Sequence, residues 1–140
     1  MRFFFYGTLI DTEILAVVLR RRVDPTKRRK AVLRGYRRVY REGASYPVLV
    51  ADPGSEVEGI VVSDLTARDV SLLTAYEGPE YEIGELPVRL WGHGLILARV
   101  FLPRAACEAS RTPWTLEEWQ SRHKWAFVGR LFRHRAASPR

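Results

Sequence analysis

Arg2-Phe3-Phe4-Phe5-Tyr6-Gly7-Thr8-Leu9 sets four aromatic residues in a row against a glycine. Successive side chains of a strand point to opposite faces, so a run that is aromatic at every position must bury both of them. That marks a central strand, running into a loop at Gly7. A glycine at such a junction lets consecutive backbone N–H groups converge on an anion, and it serves equally in a plain strand-to-helix turn. Just downstream, Asp11 or Thr12 is placed to cap a helix through Ile14-Leu15-Val17-Val18-Leu19, which the triplet Arg20-Arg21-Arg22 and Pro25 bring to an end.

Further out, Ala31-Val32-Leu33 leads through Gly35 to Tyr36-Arg37-Arg38-Val39-Tyr40, whose alternation predicts a strand with one wet face. Tyr46-Pro47-Val48-Leu49-Val50 predicts an edge strand or one beginning at the proline, which cannot donate to a ladder. Asp52-Pro53-Gly54 reads as a turn, with Val57 to Val62 as the strand beyond it. From Thr66 the period changes: Val70, Leu73 and Tyr76 share a helical face, capped by Thr66 or Ser63 and ended by Gly78-Pro79. Leu86 to Leu90 and Leu95 to Leu102 form a predicted hairpin about Trp91-Gly92-His93-Gly94. Thr115 and Glu118 stand at capping-box spacing before a final helix reaching Phe132. Strands dominate without strict β-helix-β alternation, so the expected fold is an α+β domain with a mixed or barrel-like sheet. Residues 1–132 form the one expected domain, and residues 133–140 a basic, frayed tail.

The composition of the 140 residues, 46% apolar and 28% charged, is that of a globular domain. One cysteine, Cys107, excludes an intramolecular disulfide, and three histidines supply no zinc spacing. The early apolar run is too short for a signal peptide or a membrane span, and a cytoplasmic location is expected. The net charge of +7 is concentrated: eleven basic residues lie between Arg20 and Arg41 against the single acid Asp24, so the rest of the chain is net acidic. Without a recognition motif such a run reads as a solvated face, and nucleic acid is not the expected partner. Trp91, Trp114, Trp119 and Trp125 read as core, Cys107 as an inert buried thiol, and His93 and His123 carry no assigned chemistry.

Tyr76-Glu77-Gly78-Pro79-Glu80-Tyr81 holds the carboxylate of interest. Glu77 closes an apolar helical face between two tyrosines and beside a Gly-Pro break, where it points either into a pocket or into water. In the pocket, desolvation would raise its pKa and suit it to general base work. Glu80 and Glu82 read as exposed.

Tyr6-Gly7-Thr8-Leu9, then Tyr46-Pro47, Val57-Glu58-Gly59, Tyr76-Glu77-Gly78 and Tyr81, taken in that order, resemble the γ-glutamylcyclotransferase-like superfamily, and within it the AIG2-like, γ-glutamylamine cyclotransferase branch. The likeness runs from Phe3 to about Leu102, and the tail bearing Trp114, Trp119, His123 and Phe127 is similar to the C-terminal helix of some AIG2-like members. The fold that the resemblance implies is a compact mixed β-barrel-like sheet flanked by helices. The resemblance implies conversion of a γ-glutamyl amine or peptide to 5-oxoproline with release of the amine, with Glu77 as general acid/base. It places Tyr6, Gly7, Thr8, Leu9, Tyr46 and Tyr81 around the substrate and requires no metal or organic cofactor. Thr74 and Ile83 depart from the branch, many of whose members carry Asp and Arg there. The rival readings are a non-catalytic protein holding a small carboxylate and a basic nucleic-acid-binding module built on residues 20–41. Oligomeric state has no signature in the sequence.

Overall fold

A computed structural model describes residues 1–104 and 108–137. Six strands and four α-helices follow one another: β1 (Phe3–Phe5), α1 (Thr12–Leu19), β2 (Arg28–Arg41), β3 (Pro47–Val62), α2 (Ala67–Glu77), β4 (Tyr81–Leu90), β5 (Leu95–Pro103), β6 (Ala109–Pro113), α3 (Leu116–Arg122) and α4 (Lys124–Ala137), with a 3-10 turn at Thr8–Ile10. The sheet runs β3-β1-β5-β4-β2-β6, and β3 also pairs with β2. Five strands therefore close into a barrel, with β6 added outside on β2. Only the β1–β5 contact is parallel among the described pairings, which makes the barrel mixed, as the sequence predicts.

The aromatic run forms the barrel's central strand, buried on both faces. Phe4 and Tyr6 join Leu33, Val57, Val88 and Val100 in one cluster, whereas Phe3 and Phe5 join Ile14, Leu15, Leu73 and Trp119 in the other. The alternation splits the strand between the barrel interior and the layer under the helices. Phe3 packs on Phe101 with ring centroids 5.2 Å apart. A buried phenyl contributes roughly 1.5–3 kcal/mol relative to an exposed one, so this strand is the anchor of both layers.

Asp52-Pro53-Gly54 does not turn the chain back. β3 continues through it, and both halves pair with β2: Arg34 faces Glu56 and Tyr36 faces Ala51. Four β3 residues, 52–55, are thus accommodated opposite Gly35, at φ +91°. Asp52 accepts from the Gly54 amide (3.3 Å) and the Ser55 hydroxyl (2.7 Å), so the turn-forming residues make a bulge instead. Pro47 does begin its strand, and β4 extends back to Tyr81.

Strand β6 has no counterpart in the sequence reading, because Ala-Ser-Arg-Thr-Pro has no apolar alternation. The final helix is two helices broken at His123, the second of them Lys124–Ala137. Trp114 and Trp119 are fully buried, but Trp91 and Trp125 are exposed, at 63% and 70%, beneath the ammonium groups of Lys30 and Lys124. Cys107 lies outside the described residues.

Candidate active site

Where β1 ends, the backbone at Tyr6 and Gly7 is held from several sides. The Tyr6 hydroxyl donates to the Phe101 carbonyl (2.7 Å), and the Arg38 guanidinium donates to the Tyr6 carbonyl (2.8 Å). The Gly7 carbonyl accepts from the Ile10 amide (3.1 Å), closing the 3-10 turn. At the start of such a turn the leading amides have no partner within the turn, and here they belong to Thr8 and Leu9. A Cβ at Gly7 would come within 3.1 Å of Pro47, so glycine keeps this loop close to the beginning of β3.

Opposite stands the end of α2. Thr66 caps this helix in a reciprocal capping box with Asp69, and Gly78, at φ +87°, ends it. The last turn therefore delivers Tyr76 and Glu77 to the loop. The Tyr76 and Thr8 hydroxyls are hydrogen bonded at 2.7 Å, and Tyr76 meets the edge of Phe127. Burial keeps the Tyr76 phenol above its ordinary pKa, so it remains a neutral hydroxyl. Glu77 is half-buried, and burial pushes its carboxyl up from 4.5 to about 7. A carboxyl so poised both accepts and returns a proton near neutrality.

Loop and helix end line one cavity of about 280 Å³. It brings together all the residues singled out in the sequence: Tyr6, Gly7, Thr8 and Leu9 from the loop, Tyr46 beside Pro47, Glu77 from α2, and Tyr81 at the start of β4. Thr74 and Ile83 are not part of the lining. Thr74 is exposed and bonds back to the Val70 carbonyl (2.8 Å), and Ile83 is 41% exposed on β4.

Some contributors escaped the sequence reading. Trp119 and Phe127, one from each helix of the C-terminal pair, close a wall of the cavity and touch edge to face at 5.5 Å. The break at His123 is what lets the two rings converge. Glu80 is exposed, as expected, yet lines the cavity, and its carboxylate and the Tyr46 hydroxyl each accept from Arg41 at 2.9 Å. The lining described here contains no Lys or Arg, so an anionic oxygen inside it must be met by amides and hydroxyls. Among the described residues no three His, Cys, Asp or Glu side chains gather as a metal ion requires.

Residues 3–121 match the model of the family described as gamma-glutamyl cyclotransferase, AIG2-like. The chain belongs to that family. Protein AIG2 C of Arabidopsis thaliana is 28% identical over 132 residues, covering 89% of this chain and 75% of the relative. A solution structure of another Arabidopsis thaliana protein superposes with a TM-score of 0.67 at 25% identity, covering 99% of this chain and 94% of that one. A structure described as a gamma-glutamyl cyclotransferase superposes at 0.57 and 17% identity, covering 78% and 69%. That last likeness establishes the shared barrel. The AIG2-like match extends beyond the barrel into α3, the helix that carries Trp119.

Proposed function

We propose that this protein is a cofactor-independent cyclotransferase that converts a γ-glutamyl amine or γ-glutamyl peptide to 5-oxoproline and releases the amine. The observation that carries the reading is the Glu77 carboxyl, raised to about 7 by burial, in one cavity with the amide-bearing loop at Gly7 to Leu9. Family membership supports the same chemistry.

The reaction needs little beyond orientation and proton transfer. Glu77 takes a proton from the substrate's α-ammonium, and the freed amine attacks the γ-carbonyl carbon of the same molecule. Holding a bent conformer makes that attack effectively intramolecular, the kind of gain that orientation supplies. The carbonyl oxygen becomes an oxyanion as the C–N bond of the ring forms, and the Gly7, Thr8 and Leu9 amides stabilise it as preorganised dipoles. Glu77 then returns its proton to the departing nitrogen, the oxyanion collapses and the old C–N bond breaks. The carboxylate so regenerated takes the second proton from the ring nitrogen and passes it to the released amine, so that 5-oxoproline and an ammonium leave. Tyr46 and Tyr81 shape the walls around the substrate.

Replacing Glu77 with Gln removes the proton carrier while nearly conserving volume. The expected result is an intact fold, read by circular dichroism, with 5-oxoproline formation lowered by about 10²-fold or more. A Glu77→Gln variant as active as the wild type over a panel of γ-glutamyl amines and peptides would remove this mechanism.

A further inference from the structure

Arg38 is the residue of the basic stretch whose placement is hardest to explain as solvation. It sits on β2, and its guanidinium donates to three backbone carbonyls: Tyr6 at 2.8 Å, Glu58 at 2.9 Å and Trp114 at 3.1 Å. It also lies over the Trp114 ring, 5.1 Å from the centroid. Among the described residues no carboxylate lies within ion-pair distance of it. Glu117 and Glu58 act on it only from beyond ion-pair distance and do not outweigh its desolvation. A partly desolvated cation held by carbonyls is an expensive way to join strands, so its charge calls for a use.

That use follows from the peptide geometry. In a planar trans peptide the carbonyl and the next N–H point in opposite directions. The Tyr6 carbonyl is drawn toward Arg38, which lies outside the cavity lining, whereas Gly7 lies within it. The Gly7 N–H is thereby aimed away from Arg38, to the cavity side. A cation on the carbonyl end of a peptide also polarises its N–H, strengthening the bond it donates. On the other side the Gly7 carbonyl is fixed by Ile10, so both peptides flanking Gly7 are locked.

We propose that Arg38 is a positioning residue for the cavity: by holding the Tyr6 carbonyl it fixes and polarises the Gly7 N–H that receives the developing oxyanion. What the N–H receives rests on the cyclotransferase reading; its orientation by Arg38 does not. The residue touches no substrate and acts through one peptide bond. Its contribution therefore grows as charge builds on the oxygen, and its loss falls on kcat more than on KM.

The test compares wild type with Arg38→Met, which keeps the packing on Trp114, and Arg38→Lys, which keeps the charge but not the three-way fork. Steady-state kinetics on a γ-glutamyl amine are read with thermal denaturation and the ¹H–¹⁵N spectrum. In Arg38→Met the expected result is a kcat lower by about tenfold or more, a KM within about twofold, an unmoved acidic limb of the pH profile, and a Gly7 amide resonance that shifts more than those of Phe3 to Phe5. Arg38→Lys should give a smaller change in the same direction. A clamp that is merely structural would lower the melting temperature while leaving kcat and the Gly7 resonance as they were, and that outcome overturns the proposal. Should neither variant fold, added 5-oxoproline must move the Gly7 amide resonance of the wild type, and a resonance that stays in place overturns it equally. If the wild type turns over no γ-glutamyl compound, the cyclotransferase reading fails by itself, and the Gly7 response to Arg38 still decides the positioning role.

Discussion

Glu77 shows what a single side chain costs the fold that holds it. Its folded pKa, about 7, lies above its ordinary value of 4.5, so the native state binds the proton more tightly than the unfolded chain does. The stabilisation from that proton is fully present below about pH 4.5 and is lost as pH rises through 7. A shift of this size corresponds to at most about 3 kcal/mol. Glu77→Gln, neutral at every pH, should therefore melt several degrees above the wild type at pH 8 and together with it at pH 4, as scanning calorimetry at the two pH values would show. A Gln variant less stable at pH 8 would mean that the carboxylate is satisfied in the native state. The same shift predicts that kcat/KM rises with pH through about 7, where an ordinary carboxylate would have finished titrating near 4.5. Glu77 was legible in the sequence because two tyrosines and a Gly-Pro break surround it. Arg38 was not, because it is one of eleven basic residues between Arg20 and Arg41 and its partners Tyr6 and Trp114 are far away along the chain.

Local patterns located the secondary-structure elements well where the chain's own neighbours decide the outcome. The Asp11 cap of α1, the Thr66 cap of α2 and the glycine end at Gly78 all depend on residues within a turn of one another. They failed at Asp52-Pro53-Gly54, where β2 supplies partners on both sides of a turn-like sequence and carries the strand through. Two contacts between elements make sharp predictions. A Cβ at Gly59 on β3 would stand 2.2 Å from the Phe5 carbonyl and 2.7 Å from the Phe4 ring, and the backbone of the central strand cannot swing aside. Gly59→Ala should cost about 3 kcal/mol or more, read as a lower denaturant midpoint. Asp11 ties α1 to the C-terminal pair: one oxygen caps the helix, while the other accepts from Gln120 (2.9 Å) and Lys124 (2.8 Å). Burial opposes the Asp11 charge, but these bonds outweigh it and hold its pKa below the ordinary value. The resulting stabilisation is present above the unfolded pKa and lost as pH falls through the folded one. Asp11→Ala removes the cap of α1 and one of the two carboxylates on the buried Lys124, Glu13 (2.8 Å) remaining as the other, at a cost of about 1–3 kcal/mol. It should also loosen the Trp119 and Phe127 wall of the cavity, seen as faster hydrogen exchange in α3 and α4.

Across the whole molecule, a barrel-like sheet was expected from the sequence, but the pairings that close it were not legible there. The ring depends on a short parallel contact between β1 and β5, nearly a hundred residues apart, and on β3 serving both β1 and β2, neither of which leaves a local pattern. Closure also redistributes the charge that first suggested a polyanion partner. β2 lies between β3, β4 and β6, and its cations and their neighbours meet acids and carbonyls there. Arg21, Lys27, Arg34, Arg37 and Arg41 each face a carboxylate within 4.0 Å, while Arg28 and Arg38 donate to backbone carbonyls. Seven of the eleven cations are thus held by carboxylates or carbonyls within the fold, leaving at most four, Arg20, Arg22, Arg29 beside His93 and Lys30 over Trp91, to displace counterions from a nucleic acid. Affinity for a polyanion falls with salt by about 0.9 decade per decade for each phosphate neutralised on duplex DNA. A titration of the protein against duplex DNA should accordingly give a log–log slope no steeper than about −4. A slope near −8 or beyond would show that the internal pairs open and the segment binds phosphates as a unit, which would restore the nucleic-acid reading that the +7 charge first invited.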